Sequence, residues 1–296
     1  MTINNNNMNE TQAWTTVIKP KDKLWSVDLK ELWNYRDLAS LFVKRNIITQ
    51  YKQTVLGPLW FIIQPILTVF MYMVVFGGIA GIGTDGIPKP LFYLSGTCMW
   101  HYFSDCLGRT SNTFVTNSGL FGKVYFPRLI VPFANVISNL LRFGIQLGLF
   151  AVVYAMYAIV GCPAHMNWYA LMFPILVVMI AGLALGFGIL ISSMTTKYRD
   201  LQILFSFVLQ LWMYGTPIVY PLSLVKGKVA AGFDLYFIMH LNPVTPILET
   251  FKYGVLGAGE FIGWGWLAYS FVFMMILLVF GVVIFNKTQK SFMDTV

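Results

Sequence analysis

Six stretches of this chain stay apolar for long enough to cross a hydrocarbon core, which takes about 20 helical residues. They run approximately Leu59–Ala80, Pro90–Thr110, Pro132–Val160, Trp168–Met194, Leu201–Tyr220 and Phe261–Phe285. Only 11% of the 296 residues are charged, and the mean hydropathy is +0.67. A soluble domain carries roughly 25% charged residues. Too few charges remain to solvate a globular surface, so the expected fold is an all-α integral membrane protein with six transmembrane helices.

The positive charges set an orientation. Lys19, Lys21, Lys23, Lys30, Arg36, Lys44, Arg45 and Lys52 precede the first span. Arg109, Lys123 and Arg128 lie between the second and third, Lys197 and Arg199 after the fourth, and Lys287 and Lys290 in the tail. Lys89, Lys226, Lys228 and Lys252 on the other side are offset by Asp85, Asp234, Glu249 and Glu260. The positive-inside bias therefore predicts both termini in the cytoplasm. The formal net charge of +8 then reflects contact with anionic lipid headgroups, not a nucleic-acid partner.

The chain divides accordingly. Residues 1–28 form a polar, Asn-rich cytoplasmic tail, expected to be mostly disordered and lacking the apolar core of a signal peptide. Residues 29–58 hold a helix lying in the membrane interface, with Leu38, Leu41, Phe42, Ile47, Ile48, Tyr51 and Val55 near one face and Arg36, Lys44, Arg45 and Lys52 on others. Asp28 and Glu31 suggest a capping turn before it. Residues 59–285 make the six-span domain, and residues 286–296 a cytoplasmic tail. Within that domain, the stretch 221–259 is half apolar and broken by Pro and Gly, which predicts short re-entrant or interfacial helices on the external face. Thr245 as N-cap and Pro246 at the first helical position start one of them, running through Val255.

Polar residues inside the spans are the candidates for function. Trp60, Gln64, Thr68 and Tyr72 recur at four-residue spacing in the first span; Gln202, Ser206, Gln210 and Tyr214 do so in the fifth. Two such winding stripes suit the lining of a polar conduit, although each residue alone also suits an ordinary hydrogen bond between helices. His101, Asp105 and Arg109 share one rhythm in the second span, and Asp105 is expected to form an ion pair with Arg109 or His101. Arg142, inside the third span, either snorkels to headgroups or meets an anionic substrate group. Gly144 with Gly148 and Gly182 with Gly186 are expected at close helix contacts within the chain. Cys98, Cys106 and Cys162 lack metal-ligand spacing, and the first two read as packing residues.

The run from Lys44-Arg45 through Tyr51-Lys52-Gln53-Thr54-Val55-Leu56-Gly57-Pro58-Leu59-Trp60, with Gln64-Pro65 beyond it, resembles the first membrane segment of type-2 ABC exporter permeases. That family moves O-antigen, capsular polysaccharide or teichoic acid. Gly122-Lys123-Val124-Tyr125-Phe126-Pro127-Arg128 with Pro132 is similar to the family's first cytoplasmic loop; Arg199-Asp200 and Asn242-Pro243 match further landmarks.

The resemblance implies a homodimer in the bacterial inner membrane, joined to two copies of a separate ABC ATPase and exporting a lipid-linked glycan. It implies a coupling helix at about residues 118–128, with Lys123, Val124, Tyr125, Phe126, Pro127 and Arg128 docking on the ATPase. ATP-driven closure would push on Tyr125, Phe126 and Arg128 and part the first and fifth spans. Trp60, Tyr72, Trp212 and Tyr214 are then the aromatic candidates for sugar faces, and Lys44, Arg45 and Lys52 for a lipid diphosphate headgroup. No cofactor or metal is expected in this chain; ATP-Mg belongs on the partner. Consistently, no G-x-x-x-x-G-K-[ST] loop is present, since Gly122-Lys123 and Gly227-Lys228 are each followed by Val.

Two other classes fit a polytopic chain. A proton-coupled carrier calls for more intramembrane acids than Asp105. A membrane transferase calls for converging catalytic groups, whereas His101, His165 and His240 are scattered.

Overall fold

The computed structural model describes residues 29–52, 56–124, 126–162, 164–196, 198, 200–230, 232–257, 259 and 261–292. The tail at residues 1–28, with Asp28 of the expected capping turn, lies outside them, as do Gln53, Thr54, Val55, Tyr125, Lys197 and Arg199.

Helices α1 (Leu29–Asn34) and α2 (Arg36–Tyr51) come first, then a 3-10 turn at Gly57–Leu59 leading into α3 (Trp60–Tyr72). From Met73 to Ile79 the chain continues as a π-helix. Helix α4 (Lys89–Ser111) is followed by the short α5 (Thr113–Phe121) and by α6 (Ile130–Ile159). A 3-10 turn at Trp168–Met172 opens α7 (Phe173–Thr195), and α8 (Leu201–Tyr214) comes next. After a 3-10 turn at Leu222–Val225, a hairpin pairs β1 (Val229–Ala230) with β2 (Phe233–Asp234). Helices α9 (Leu235–Leu241), α10 (Val244–Leu256) and α11 (Trp264–Phe292) complete the order.

Among the described residues, four helical segments are long and apolar enough to cross a membrane: Gly57–Ile79, Ile130–Ile159, Trp168–Thr195 and Trp264–Gln289. The other two expected spans differ for physical reasons. Helix α4 is long enough but carries Ser95, Thr97, His101, Asp105 and Arg109. It sits at the centre, packed by α3, α6, α7, α8 and α10, and every residue from Leu91 to Trp100 is buried. A helix enclosed by protein has no need to be oily all round. Helix α8 ends at Tyr214, six residues short of the expected Tyr220, because Pro217 has no N–H and disfavours helix at Thr216. Its 14 residues span about 21 Å, against a hydrocarbon core of about 30 Å.

The interface helix divides its apolar residues between the protein and its outer side. Phe42 is buried against Phe126, with ring centroids 5.7 Å apart, whereas Leu41 and Ile48 are exposed. Asn46 donates to Asn135 of α6 at 2.9 Å, and Arg45 reaches Asn117 at 3.4 Å. Polar residues thus turn α2 towards the protein.

Glycine permits one of the two close approaches foreseen. A Cβ on Gly186 would meet Leu277 of α11 at 2.9 Å, and one on Gly182 would strike Met274. Gly144 and Gly148 face open space instead, so the expected contact there is absent among the described residues. Cys98 and Cys106 are buried packing residues, as expected.

Helix α10 starts at Val244, one residue before the expected N-cap Thr245, and ends at Leu256, where Gly257 adopts φ +66°. Pro243, not Thr245, holds the N-cap position, and Asn242 just before it accepts from the Val244 N–H through Oδ1 at 3.1 Å. The chain entering α7 pairs with this helix through Asn167 N–H to Gly254 O at 2.8 Å.

Candidate functional site

A seam of polar side chains runs between α2, α3, α4 and α6, near the end of the bundle that carries the 122–128 loop. Asp105 and Arg142 form its centre, with Oδ2 and Nη1 2.9 Å apart. The expected ion pair of Asp105 therefore exists, but its partner is Arg142 on another helix, not Arg109 or His101. Asp105 lies six residues before the end of α4 and Arg142 twelve after the start of α6, about 9 and 18 Å along their helices.

Arg142 also donates through Nη2 to Gln64 Oε1 of α3 at 2.8 Å, and its guanidinium lies 5.2 Å from the Phe61 ring. Arg109 turns to Gln50 of α2, whose amide, when oriented with its oxygen towards the guanidinium, accepts from Arg109 Nη2 at 2.7 Å. Asn135 of α6 donates to the Arg109 carbonyl at 3.3 Å and accepts from Asn46. Nδ1 of His101 has no hydrogen-bond partner among the described residues. Polar residues of four helices thus pair most, though not all, of one another's groups where lipid could pair none.

The two predicted stripes flank α4. In α3, Trp60 and Gln64 are exposed, Thr68 is half-buried and donates to Gln64 O at 2.9 Å, and the Tyr72 hydroxyl meets Met213 of α8 at 3.3 Å. In α8, Gln202, Ser206, Gln210 and Tyr214 are all exposed, and none of its residues is buried. Gln202 and Ser206 border a cavity of about 240 Å³ against Gly108, Ser111 and Asn112. Trp212 does not belong to the stripe. Its Nε1 donates to Asn242 Oδ1 at 3.0 Å, and its ring sits edge-on to Phe103 and Phe187. Both helices leave apolar residues uncovered, among them Leu67, Phe70 and Met71 in α3 and Leu204, Phe207 and Leu211 in α8.

The 122–128 loop also differs from expectation. The predicted coupling helix is the end of α5, broken at Asn117 and stopped at Gly122. Lys123 and Val124 are exposed, and Tyr125 lies outside the described residues. Phe126 and Arg128 are buried, so they do not offer a docking face. Arg128 donates to the Gln289 carbonyl of α11 at 3.2 Å and lies 5.3 Å from the Phe121 ring. Burial pulls its pKa below the ordinary arginine value, although a guanidinium stays charged. Of the basic residues on α2, Arg36 lies 5.9 Å from the Trp33 ring, Arg45 lies 4.7 Å from the Phe42 ring, and Lys44 and Lys52 are exposed.

At the opposite end, Asp85, Ser223, Lys226, Tyr236 and Glu249 border a second cavity of about 260 Å³. Ser223 donates to both Asp85 oxygens, at 2.8 and 3.0 Å. Glu249 pairs with the buried Lys252 at 3.1 Å. Sequence reasoning passed over this pair because it lies in the segment read as a connection.

A polar seam enclosed by long apolar helices defines a multi-pass helical membrane protein. Residues 38–256 match the model of the ABC-2 type transporter family, and the chain belongs to that family. It is similar to the O-antigen export system permease protein RfbA of Myxococcus xanthus, at 28% identity over 225 residues, covering 76% of this chain and 82% of that protein. It is also similar to the O-antigen export system permease protein RfbA of Klebsiella pneumoniae, at 26% identity over 263 residues, covering 87% and 94%.

Proposed function

We propose that the chain is the membrane subunit of an ATP-driven exporter that carries a lipid-linked polysaccharide across the bacterial inner membrane. The observation that carries this reading is the family match over residues 38–256, joined to near full-length similarity to O-antigen export permeases. In this reading α4 and α8 complete six crossings, with α8 extended by the chain to Tyr220, and both termini are cytoplasmic. Helices α9 and α10 are the re-entrant elements on the external side. Two copies cover each other along α3 and α8, whose exposed apolar residues would otherwise meet lipid beside the exposed polar stripe. Trp60, Gln64, Thr68, Tyr72, Gln202, Ser206, Gln210 and Tyr214 then border the conduit, without Trp212. A separate ABC ATPase docks on Lys123, Val124 and the neighbouring exposed turn, while Phe126 and Arg128 hold that turn in place. Lys44 and Lys52 draw anionic headgroups to the cytoplasmic surface.

Purification from native membranes in mild detergent tests the reading. An ABC ATPase should be retained, and deleting the chain should leave glycan-lipid in the cytoplasmic leaflet with none at the surface. Single cysteines replacing Met71 or Phe207 should cross-link two copies. A chain that purifies without an ATPase, in cells whose surface glycan survives its deletion, is not this exporter.

A further inference from the structure

Arg142 is held asymmetrically. Its Nη1 meets a carboxylate, its Nη2 meets only the neutral amide of Gln64, and its Nε has no hydrogen-bond partner among the described residues. Nε and Nη2 form one edge of the planar guanidinium, the edge that takes two oxygens of a phosphate or carboxylate side by side. Here that edge carries one uncharged acceptor. Leaving Nε unpaired costs free energy in this arrangement, and an oxyanion is the ligand that removes the cost.

The surrounding charges favour an anion. Two guanidinium groups, of Arg142 and Arg109, act on the single carboxylate of Asp105. Arg109 too takes a neutral amide, that of Gln50. The side chains of Arg142 and Asp105 remain 15% and 27% exposed. An ion pair open to its surroundings within the spans needs a polar cover, from water, a partner or a ligand headgroup.

We propose that the Nε–Nη2 edge of Arg142 receives a phosphoryl group of a lipid diphosphate, which displaces Gln64 and so releases α3 from α6. The proposal rests on the export reading for its lipid-linked cargo. Gln64 is exposed on a largely uncovered helix, so its departure disturbs little packing. A diphosphate brings two phosphoryl groups to two guanidinium groups. Its lipid tail holds the headgroup at this depth, which a free phosphate has no means to reach.

The full chain in phosphatidylcholine nanodiscs, titrated with farnesyl diphosphate, gives the test. Arg142→Gln should weaken binding by about tenfold or more, and Arg142→Lys should not restore it, since a point charge offers no bidentate edge. Gln64→Ala should tighten binding by about three- to tenfold, because the competing amide is gone. Equal affinity of wild type and Arg142→Gln overturns the proposal. Should Arg142→Gln fail to fold, weaker binding by Gln64→Ala overturns it, since Gln64 is then a ligand and not a competitor. Equal binding of inorganic diphosphate, or of phosphatidylglycerol, refutes the lipid-diphosphate assignment. No ATPase is present in this assay. If native membranes yield the chain with its ATPase but the chain in nanodiscs binds no farnesyl diphosphate, this proposal alone fails; if the chain binds but native membranes yield no ATPase with it, only the export reading fails.

Discussion

Trp212 and Asn242 are joined by a hydrogen bond of 3.0 Å from the indole Nε1 to the amide oxygen, and through it the end of α8 is fixed to the start of α10. Asn242 uses its other atoms as well. Nδ2 donates to Gly215 O at 3.1 Å and to Thr216 Oγ1 at 2.8 Å, and Oδ1 also takes the Val244 N–H. Asn242→Leu leaves the indole, a carbonyl and a helix N-terminus without this partner. The expected loss is about 2–4 kcal/mol, since each unpaired buried group costs about 1–3 kcal/mol and relaxation recovers part. Denaturant unfolding in detergent measures it, and Asn242→Asp, which keeps only the acceptor, should fall between.

Sequence periodicity already held the answer on Trp212. It follows Gln210 by two residues, about 200° around the helix, so it belongs on the face opposite the stripe. Gln202, Ser206, Gln210 and Tyr214 do share one exposed side, as their spacing required. Long apolar runs made four of the six expected spans legible in the same way. The seam was not legible, because Arg142–Asp105, Arg109–Gln50 and Asn46–Asn135 each join helices whose mutual register no local pattern encodes.

The seam's ion pair is expected to behave as a coupled unit. Asp105→Leu leaves Arg142 without its counter-charge and should cost about 2 kcal/mol, below the about 3–5 kcal/mol of a fully buried pair because both groups are partly exposed. The double variant Asp105→Leu with Arg142→Leu should regain most of that loss. A thermal-melt double-mutant cycle reads the coupling, and strictly additive losses would contradict the pairing.

Glycines divide into those that need their missing side chain and those that do not. A Cβ on Gly254 would lie 2.8 Å from the Ala170 nitrogen and the Tyr169 carbonyl carbon, backbone atoms with little room to retreat. Gly254→Ala should destabilise by about 1–3 kcal/mol. Gly144→Ala, with open space around it, should leave the isolated chain unchanged or up to about 1 kcal/mol more stable through helix propensity. Parallel unfolding curves of the two variants decide the point.

The loop at 122–128 should separate stability from coupling. Arg128→Ala loses the bond to Gln289 and the contact with Phe121, and should lower stability by about 1–3 kcal/mol. Val124→Asp, on the exposed turn, should change stability by less than about 0.5 kcal/mol. It should nevertheless abolish ATPase retention in pull-down. Retention by Val124→Asp at wild-type level would falsify the docking assignment.

Arg128 carries a mechanical implication. Its bond to Gln289, with Phe114, Phe121, Phe126 and Phe285 packed in one cluster, welds the loop to the far end of the last helix. A force applied at that loop would therefore be passed to α11 as along a shaft, and from α11 to α7 through the close contacts at Gly182 and Gly186. The last helix, remote in sequence from the loop, is thereby its mechanical neighbour.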